Sequence, residues 1–478
     1  MHYHLIGICG TAMASLAGML LARGHKVTGS DQNVYPPMST QLAALGIEII
    51  KGYRAENTKI GADITIVGNA ISRGNPELEA VLEQRLYYTS QAQVVQDEFI
   101  RGRRSLVVAG THGKTTTTSL AAWICEAGGL DPSFLVGGIV QNFDASFRVT
   151  DSDFFVIEGD EYDTAYFDKK PKFMHYLPEI AIVNNIEFDH ADIYDDLEDI
   201  KWEFSRLMNL VPGNGRLIAG VDSPVVVGVL NEMDGKLHTN IETFGLSDNA
   251  KWQARYIDLS GEKTRFTVFC EGTSFGEFET SMIGEFNVRN CLAVIIAANA
   301  WGISNEQIQR GLDTFKSVKR RMEIRGVRRG VTVIDDFAHH PTAVEETLKA
   351  LRMKFPAGRL IAIFEPRTWS SRLATFQEPY SKAFGYADRV IIAGVYNTAK
   401  ASELGKVLDV NELVDDLNLR GKHAESFPDA DSIVEHLTPE LAEGDVVAVM
   451  SNGAFGGIHE KLLAELGKGD IAAASDAV

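Results

Sequence analysis

The sequence predicts an α/β protein of three domains, each built on an open, mostly parallel sheet. Three observations predict it. Short hydrophobic runs such as SLVVAG (105–110), RLIAIF (359–364) and DVVAVM (445–450) are each followed by a glycine or polar loop and then a helical pattern, the rhythm of a parallel sheet. That rhythm restarts near Ser105 and again near Ser317, dividing 478 residues into pieces that match roughly 100–200 residues per domain. The composition, 45% hydrophobic and 23% charged, is that of an ordinary globular chain. The expected domains are 1–104, 105–317 and 318–478, the outer two Rossmann-like and the central one a P-loop ATPase-like mononucleotide-binding domain.

The first unit opens YHLIGICGTAMASLAGMLLARGHKVTGSD. Tyr3 to Ile8 reads as a buried strand. Gly7 and Gly10 form a turn, and Met13, Leu16, Ala17, Leu20 and Leu21 recur at helical spacing. Gly24 ends the helix, and Lys26 to Gly29 begins a strand that closes after Ser30 at Asp31. An acidic residue there bonds a ribose hydroxyl in a Rossmann site. Cys9 and Ala12 occupy places where glycine is usual, so the loop Gly7–Met13, with Thr11, fits both a nucleotide or sugar-nucleotide site and a plain structural βαβ unit. ADITIVGNAIS (62–72) is another strand running into a polar loop of Asn69, Ala70, Ile71 and Ser72, and such strand ends are where open α/β sheets bind ligands. The uncharged run 5–22 also resembles a signal peptide or membrane span. No Lys or Arg precedes it, and it is rich in Gly, Ala, Ser and Thr, so strand, turn and helix explain it better and a cytoplasmic location is expected.

The second unit holds GTHGKTTT (110–117). The usual phosphate loop has four residues between its two glycines; here only Thr111 and His112 separate Gly110 from Gly113. A strand precedes the loop, and a helix from Thr115 to Ala127 follows, with Leu120, Trp123, Ile124 and Ala127 on one face. Loop amides and the helix N-terminus form an anion site that includes Thr116. Lys114 adds a point charge for the β- and γ-phosphates, and the Thr115 hydroxyl a ligand for Mg²⁺. Two more hydrophobic runs end in carboxylates: FFVIEGDEYD places Glu158, Asp160, Glu161 and Asp163, and AIVNNIEFDHADIY places Glu187, Asp189, His190 and Asp192. A parallel sheet brings both ends to the edge that carries the phosphate loop. Glu158 and His190 are then candidate metal ligands beside ATP, and hard oxygen donors suit Mg²⁺. Taken singly, each carboxylate also reads as a solvated loop tip.

In the third unit GVTVIDDFAHHPTAVEETLKALRMKF reads as strand, loop and helix. Pro341 suits a first helical turn, and Val344, Leu348, Leu351 and Phe355 form the buried stripe. RLIAIFEPRTWSSR gives a strand followed by Glu365, Arg367 and Arg372. The arginines are either surface charges or, as is common at strand ends, bidentate partners for a carboxylate. DVVAVMSNGAFGGIHEKLLAEL adds a strand, a loop with Gly453, Gly456 and Gly457, and a helix. GKGDIAAASDAV reads as a frayed tail. His339 and His340 together suggest zinc, but no third ligand is in evidence.

The balance is acidic, 46 Lys+Arg against 65 Asp+Glu for a net charge of −19. A bulk nucleic-acid binder needs a basic face, so that class is excluded and a small anionic ligand is not. Cys9, Cys125, Cys270 and Cys291 form no CxxC pair, which fits a reduced compartment without structural zinc. Cys9 reads as a reactive thiol or, more plainly, as a small residue in a tight turn.

These motifs, in this order, resemble the Mur ligase family. The resemblance covers essentially the whole chain: IGICGTAM…GSD, GTHGKTTT, EGDEYD, NNIEFDH, GEFNVRN, KRRMEIRG, IDDFAHHPTA and FEPRTWSSR. It implies a UDP-binding Rossmann-like domain, an ATP-binding domain and a domain for the incoming amine. It implies an ATP-dependent ligase that activates the lactyl carboxylate of UDP-N-acetylmuramate as an acyl phosphate, with one Mg²⁺ held by Thr115 and Glu158 and a second by His190. By the same resemblance Asn287 and Asn290 contact adenine, Arg321 reaches the phosphates, Asp336 holds the ribose, and hinges near 104 and 317 close the site. His339, Arg367 and Arg372 are candidates for the peptide. Within the family, LIGICGTAM, GSDQNVYPPMST and MSNGAFGGIHEKL resemble the branch that attaches the recycled murein tripeptide L-alanyl-γ-D-glutamyl-meso-diaminopimelate, rather than the branch that adds L-alanine. One departure stands: Ser205 sits where most of the family has a carbamylated lysine, and Lys201 is the nearest lysine. A monomer or weak homo-oligomer, with no membrane partner, is expected. Readings of another class are a nicotinamide-dependent dehydrogenase on the first βαβ unit and a non-catalytic UDP-sugar-binding regulator.

Overall fold

A computed structural model describes residues 1–35, 38–397 and 405–475, with side chains as far as Lys468. Pro36 and Pro37 of GSDQNVYPPMST, and the last three residues of the tail, lie outside them.

Three main sheets follow one another along the chain. The first holds β1 (His2–Ile6), β2 (Lys26–Asp31), β3 (Ile49–Lys51), β4 (Ile64–Val67) and β5 (Tyr88–Ser90) in the spatial order β3-β2-β1-β4-β5. All its pairings are parallel, and β1 lies between β2 and β4. The order reverses at β1, so the loops after β1 and β4 leave in opposite directions and open a crevice between them. Tyr3, Leu5 and Ile6 are fully buried, as strands covered by helices on both faces require.

The second sheet is built around β6 (Arg104–Ala109), β9 (Phe154–Glu158) and β12 (Ile180–Val183). β6 pairs in parallel with both neighbours, setting Val108 opposite Glu158 and Ala109 opposite Val183. The GTHGKT loop and both carboxylate-bearing ends therefore share one edge, as the sequence predicts. β7 (Ser133–Val140) and β8 (Ala145–Arg148) extend this ten-stranded sheet on one side. On the other lie β13 (Arg216–Gly220), β14 (Asn240–Gly245) and the antiparallel run β15 (Trp252–Asp258), β16 (Thr264–Cys270), β17 (Thr273–Thr280). A small antiparallel hairpin, β10 (Asp163–Ala165) and β11 (Asp168–Pro171), stands apart. The third sheet runs β18-β19-β23-β20-β21-β22, with β18 (Glu323–Arg328) antiparallel to β19 (Val331–Asp336) and the others parallel: β20 (Leu360–Phe364), β21 (Arg389–Ala393), β22 (His423–Phe427) and β23 (Val446–Met450).

The first two sheets share one core. Leu16 and Phe99 belong to the same buried cluster as Phe155 and Phe204. A Cβ at Gly18, on the first helix, would overlap the Phe147 ring of β8, and Ser15 Oγ lies 3.1 Å from Ser146 Oγ. The third sheet has cores of its own, touched from the second by Phe188 and Ile283. The connection to it is tightly bent: Ser317, Arg320 and Met322, none of them glycine, all have positive φ. The final helix runs Ile458–Ser475, so most of the tail read as frayed is helical. Among the described residues no helix is long and apolar enough to cross a membrane.

Candidate active site

The loop after β6 turns at Gly110 (φ +134°) and Gly113 (φ +80°). A side chain at Gly113 would come within 2.7 Å of Asn290 Oδ1, and one at Gly110 within 3.1 Å of the Asn184 and Asn185 amides. Glycine is therefore required twice for one reason, close approach of neighbouring chain. The helix Lys114–Ala127 starts at Gly113 with no side-chain cap, leaving its first amides free for an anion.

Lys114 folds back over the loop. Its Nζ donates to Gly110 O at 2.7 Å and to Glu161 Oε1 at 2.8 Å. Burial alone would lower this ammonium, but Glu161 and Asp160 outweigh it and hold it charged. Thr115 Oγ1 donates to Glu158 Oε1 at 2.9 Å, and Gly137 N donates to Glu158 Oε2 at 2.8 Å. Burial raises the Glu158 carboxyl above its usual range. His190 (φ +54°) turns its Nε2 to Glu161 Oε1 at 3.2 Å. Its pKa is pushed up to about 9, because Glu161 and Asp189 overcome the effect of burial. Donor atoms of Asp160, Glu161 and His190 lie within 4.8 Å of one another. A hydroxyl and two carboxylate sets on one edge form the hard oxygen environment that Mg²⁺ takes, with His190 at its border. Lys201 is turned away: its Nζ is held by Glu198 and Glu232 at 2.9–3.0 Å. Ser205 Oγ donates to its own helix at Trp202 O. The lysine nearest the acidic edge besides Lys114 is Lys172, 2.5 Å from Asp160 Oδ2.

A cavity of about 670 Å³ runs from this edge to the third sheet. His112, Gly113 and Thr116 are among its lining residues, with Asn287, Asn290, Arg321 and Asp336. Asn290 Nδ2 donates to Asn287 Oδ1 at 3.0 Å. Arg321 crosses from the third unit and donates through Nη2 to Thr115 Oγ1 at 3.1 Å. Asp336 accepts from Met322 N and Ala338 N at 2.8 Å each. The cavity also holds groups that the sequence reading passed over: Phe286, and Asp222 paired with Arg289 Nε at 2.9 Å. Asp222 follows β13, and the strand-end argument used for Glu158 and Glu187 would have found it.

A second cavity of about 700 Å³ lies over the first sheet's crevice, lined by Gly7, Cys9, Gly10, Thr11, Ala12, Met13, Asp31, Asn69, Ala70 and Ile71. Ser30 and Ser72 do not line it. Ser30 is fully buried behind the turn, its carbonyl accepting from Gly7 N and Ile8 N, and Ser72 is exposed. Asp31 braces the loop itself, accepting from Cys9 N at 2.9 Å and Asn33 N at 2.9 Å. Burial and Asp31 push the Cys9 thiol up to about 11, which removes the reactive-thiol reading. The hairpin β10–β11 of the second unit closes the far wall with Asp163, Thr164 and Lys169.

In the third unit His339 Nδ1 contacts Phe337 O at 2.9 Å, and its Nε2 lies 3.8 Å from Asp189 Oδ2. Arg367 lies over the Tyr396 ring at 4.0 Å and reaches Glu365 at 3.3 Å. Arg372 differs. It is 4% exposed, stacks on Trp369, and donates to Thr368 O and Tyr396 O at 3.1 Å each. Its Nε and Nη1 serve loop carbonyls, so part of its donor set braces the loop.

Comparison with known proteins decides the family. The Mur ligase family catalytic domain matches residues 2–102, the Mur ligase middle domain 108–298, and the Mur ligase glutamate ligase domain 320–453. The chain is 42% identical over 474 residues to UDP-N-acetylmuramate–L-alanyl-γ-D-glutamyl-meso-2,6-diaminoheptandioate ligase of Escherichia coli K12, covering 98% of this chain and 99% of that one. The chain belongs to the Mur ligase family. A UDP-N-acetylmuramate–L-alanine ligase of Caldanaerobacter subterraneus is 34% identical, covering 97% of each chain. The crystal structure of a murein peptide ligase from Psychrobacter arcticus superposes with a TM-score of 0.72 at 35% identity, covering 98% of this chain and 99% of that one.

Mur ligases are ATP-dependent, ADP-forming amide ligases, and this chain is one of them. The dehydrogenase and silent-regulator readings of the first βαβ unit fall with that assignment.

Proposed function

We propose that this Mur ligase joins L-alanyl-γ-D-glutamyl-meso-diaminopimelate to UDP-N-acetylmuramate in the cytoplasm, as a step of peptidoglycan recycling. The observation that carries the reading is the contact of Thr115 with both Glu158 and Arg321, where Arg321 lines a cavity shared by the second and third units and Lys114 pairs with Glu161 on the same loop. The tripeptide assignment draws on the relative of that name at 42% identity over nearly the whole chain. The reading divides the chain into a UDP-sugar domain (1–104), an ATP domain (105–317) and a peptide domain (318–478), acting as a monomer or weak homo-oligomer.

A carboxylate is a poor electrophile, so it must first be activated. The lactyl carboxylate oxygen forms a bond to the γ-phosphorus of ATP while the bond to the β-phosphate oxygen breaks, giving an acyl phosphate and ADP. The tripeptide's amine then attacks the acyl carbon, and phosphate leaves with the former carboxylate oxygen. Such a transfer is driven mainly by positioning and charge neutralisation. Lys114 and the amides from Gly113 to Thr116 hold the phosphates, while Thr111 N and His112 N donate to Asn185. Arg321 adds charge from the third unit, Asn287 and Asn290 face the base, and Asp336 faces the ribose. Thr115, Glu158 and His190 would hold Mg²⁺, which when bound neutralises charge on the phosphoryl oxygens. The Gly7–Met13 and Asn69–Ile71 loops cradle the UDP-sugar, and His339 and Arg367 take the peptide.

The test is phosphate release from ATP with Mg²⁺ and UDP-N-acetylmuramate, comparing L-alanine with the tripeptide. Release with the tripeptide alone, and a UDP-muramyl-tripeptide product by mass, is expected. Release with L-alanine alone would move the protein to the alanine-adding branch.

A further inference from the structure

His112 of the phosphate loop, Glu187 beyond β12 and His340 before the helix Pro341–Lys354 meet where the second and third units touch. His112 Nε2 and His340 Nδ1 each lie 3.5 Å from the same oxygen, Glu187 Oε2. The donor atoms of all three fall within 4.8 Å of one another. Two donors of a tetrahedral zinc ion, each bonded at about 2.0–2.2 Å, stand roughly 3.3–3.5 Å apart. We infer that His112, Glu187 and His340 form a site for a transition-metal ion of the zinc class, separate from the Mg²⁺-type oxygen edge at Thr115 and Glu158.

The surroundings are those of a ligand set. His340 is 6% exposed, and its Nε2 lies 3.2 Å from Phe188 O. A proton on Nε2 donated to that carbonyl is the outer bond that orients most metal-bound imidazoles; it leaves Nδ1 as an acceptor, which takes Thr342 N at 3.3 Å, a long bond that an ion would replace, and lies 3.5 Å from Glu187 Oε2. Thr342 Oγ1 donates to Glu187 Oε2 at 2.6 Å and fixes the carboxylate. His112 Nε2 is buried and has no hydrogen-bond partner, an arrangement that leaves a donor atom unsatisfied until something binds it. The rings of His112 and His340 lie 4.5 Å apart. Burial and the second imidazole lower His340, so it is neutral at pH 7. Glu187 is lowered and ionised: burial would raise it, but the His112 contact and His340 prevail. Two imidazoles and one carboxylate select zinc or cobalt over magnesium. His112 and Glu187 belong to the second unit and His340 to the third, so an ion here ties the two units together.

Metal-free full-length protein is titrated with Co²⁺ in excess Mg²⁺, and the visible d–d bands are read. The expected result is one ion per chain with the strong bands of a four-coordinate N/O site, displaced by Zn²⁺. Affinity falls by at least the roughly 10–100-fold that even an outer partner costs in the variants His340→Asn and Glu187→Gln, and stays unchanged in His190→Asn. Asparagine keeps the helix cap that His340 provides. Zn²⁺ also raises the unfolding temperature of the wild type and not of His340→Asn. Loss of binding in His190→Asn alone, equal binding in wild type and His340→Asn, or no Mg²⁺-resistant binding overturns the site. Anomalous scattering at the zinc edge from wild-type crystals decides independently of variant folding: a peak between the three side chains supports the site, and a peak elsewhere or none overturns it.

Discussion

Lys114 is the only cation among the described residues that bridges the phosphate loop and Glu161, with side-chain exposures of 12% and 3% for the pair. Lys114→Ala removes the charge that meets the phosphates and leaves Glu161 buried without its ammonium. Turnover is expected to fall by at least about 10²–10³-fold, with the fold retained by circular dichroism; near-normal phosphate release would rule out its role. The two arginines of FEPRTWSSR should separate cleanly. Arg367→Ala is expected to raise KM for the tripeptide on the order of 10-fold with little change in kcat. Arg372→Ala is expected to leave KM near normal and lower stability by roughly 1–3 kcal/mol through lost bonds to loop carbonyls. Steady-state kinetics and denaturant titration of both variants check the division.

Strand β19 carries a second charged centre that braces elements. Asp335, 2% exposed, faces Arg320 Nε at 3.3 Å, His459 Nε2 at 3.4 Å and Arg325 Nη1 at 3.5 Å. It thereby joins the bent connection, β18 and the last helix. Burial would raise this carboxyl, but His459 and Arg320 hold it below the ordinary 3.8. The fold favours the ionised form, so its stabilisation is complete above about pH 5 and is lost as the pH falls through the lowered value. Asp335→Asn should cost roughly 2 kcal/mol at pH 7, and the gap from wild type should shrink below pH 3.8 in urea titrations. A constant gap across that range would disprove the electrostatic account.

Elements of this kind were unevenly legible in the sequence. The strand–loop–helix units and the shared edge of their strand ends read correctly, because β6, β9 and β12 are hydrophobic runs that stop abruptly at glycine or acid, and parallel pairing fixes where their ends meet. The third-unit contacts did not read. Nothing local in FEPRTWSSR tells Arg367 from Arg372; the difference arises from carbonyls at Thr368 and Tyr396 that only the folded loop supplies. His340 had no visible third ligand because its partners, His112 and Glu187, lie far away along the chain. The tail misled because alanines and glycines lack a hydrophobic stripe, yet the preceding Ile458, Leu462 and Leu466 anchor a helix that continues past them.

Across the whole molecule, one cavity joins the second and third units and another lies over the first sheet with a wall from the second, and the third unit reaches the loaded edge through Arg321 and Thr342. Closure of the third unit is expected to follow nucleotide binding. ATP with UDP-N-acetylmuramate should lower the radius of gyration in small-angle X-ray scattering, and Arg321→Ala should weaken that response; an unchanged profile in wild type would argue for a permanently closed form. The first two units behave otherwise. Gly18→Val would drive a side chain into Phe147 and should cost roughly 1–3 kcal/mol, with both units losing stability together in calorimetry.

That shared core has a consequence for how such a chain can be recombined. A graft between relatives cannot be cut near residue 104, because Leu16 and Phe99 would meet a foreign Phe155 and Phe204. A cut at the bend around Ser317 crosses polar pairs and the flanking contacts of Phe188 and Ile283, and leaves the buried members of each interior on one side. The third unit is therefore an exchangeable cassette, while the first two are inherited as one block.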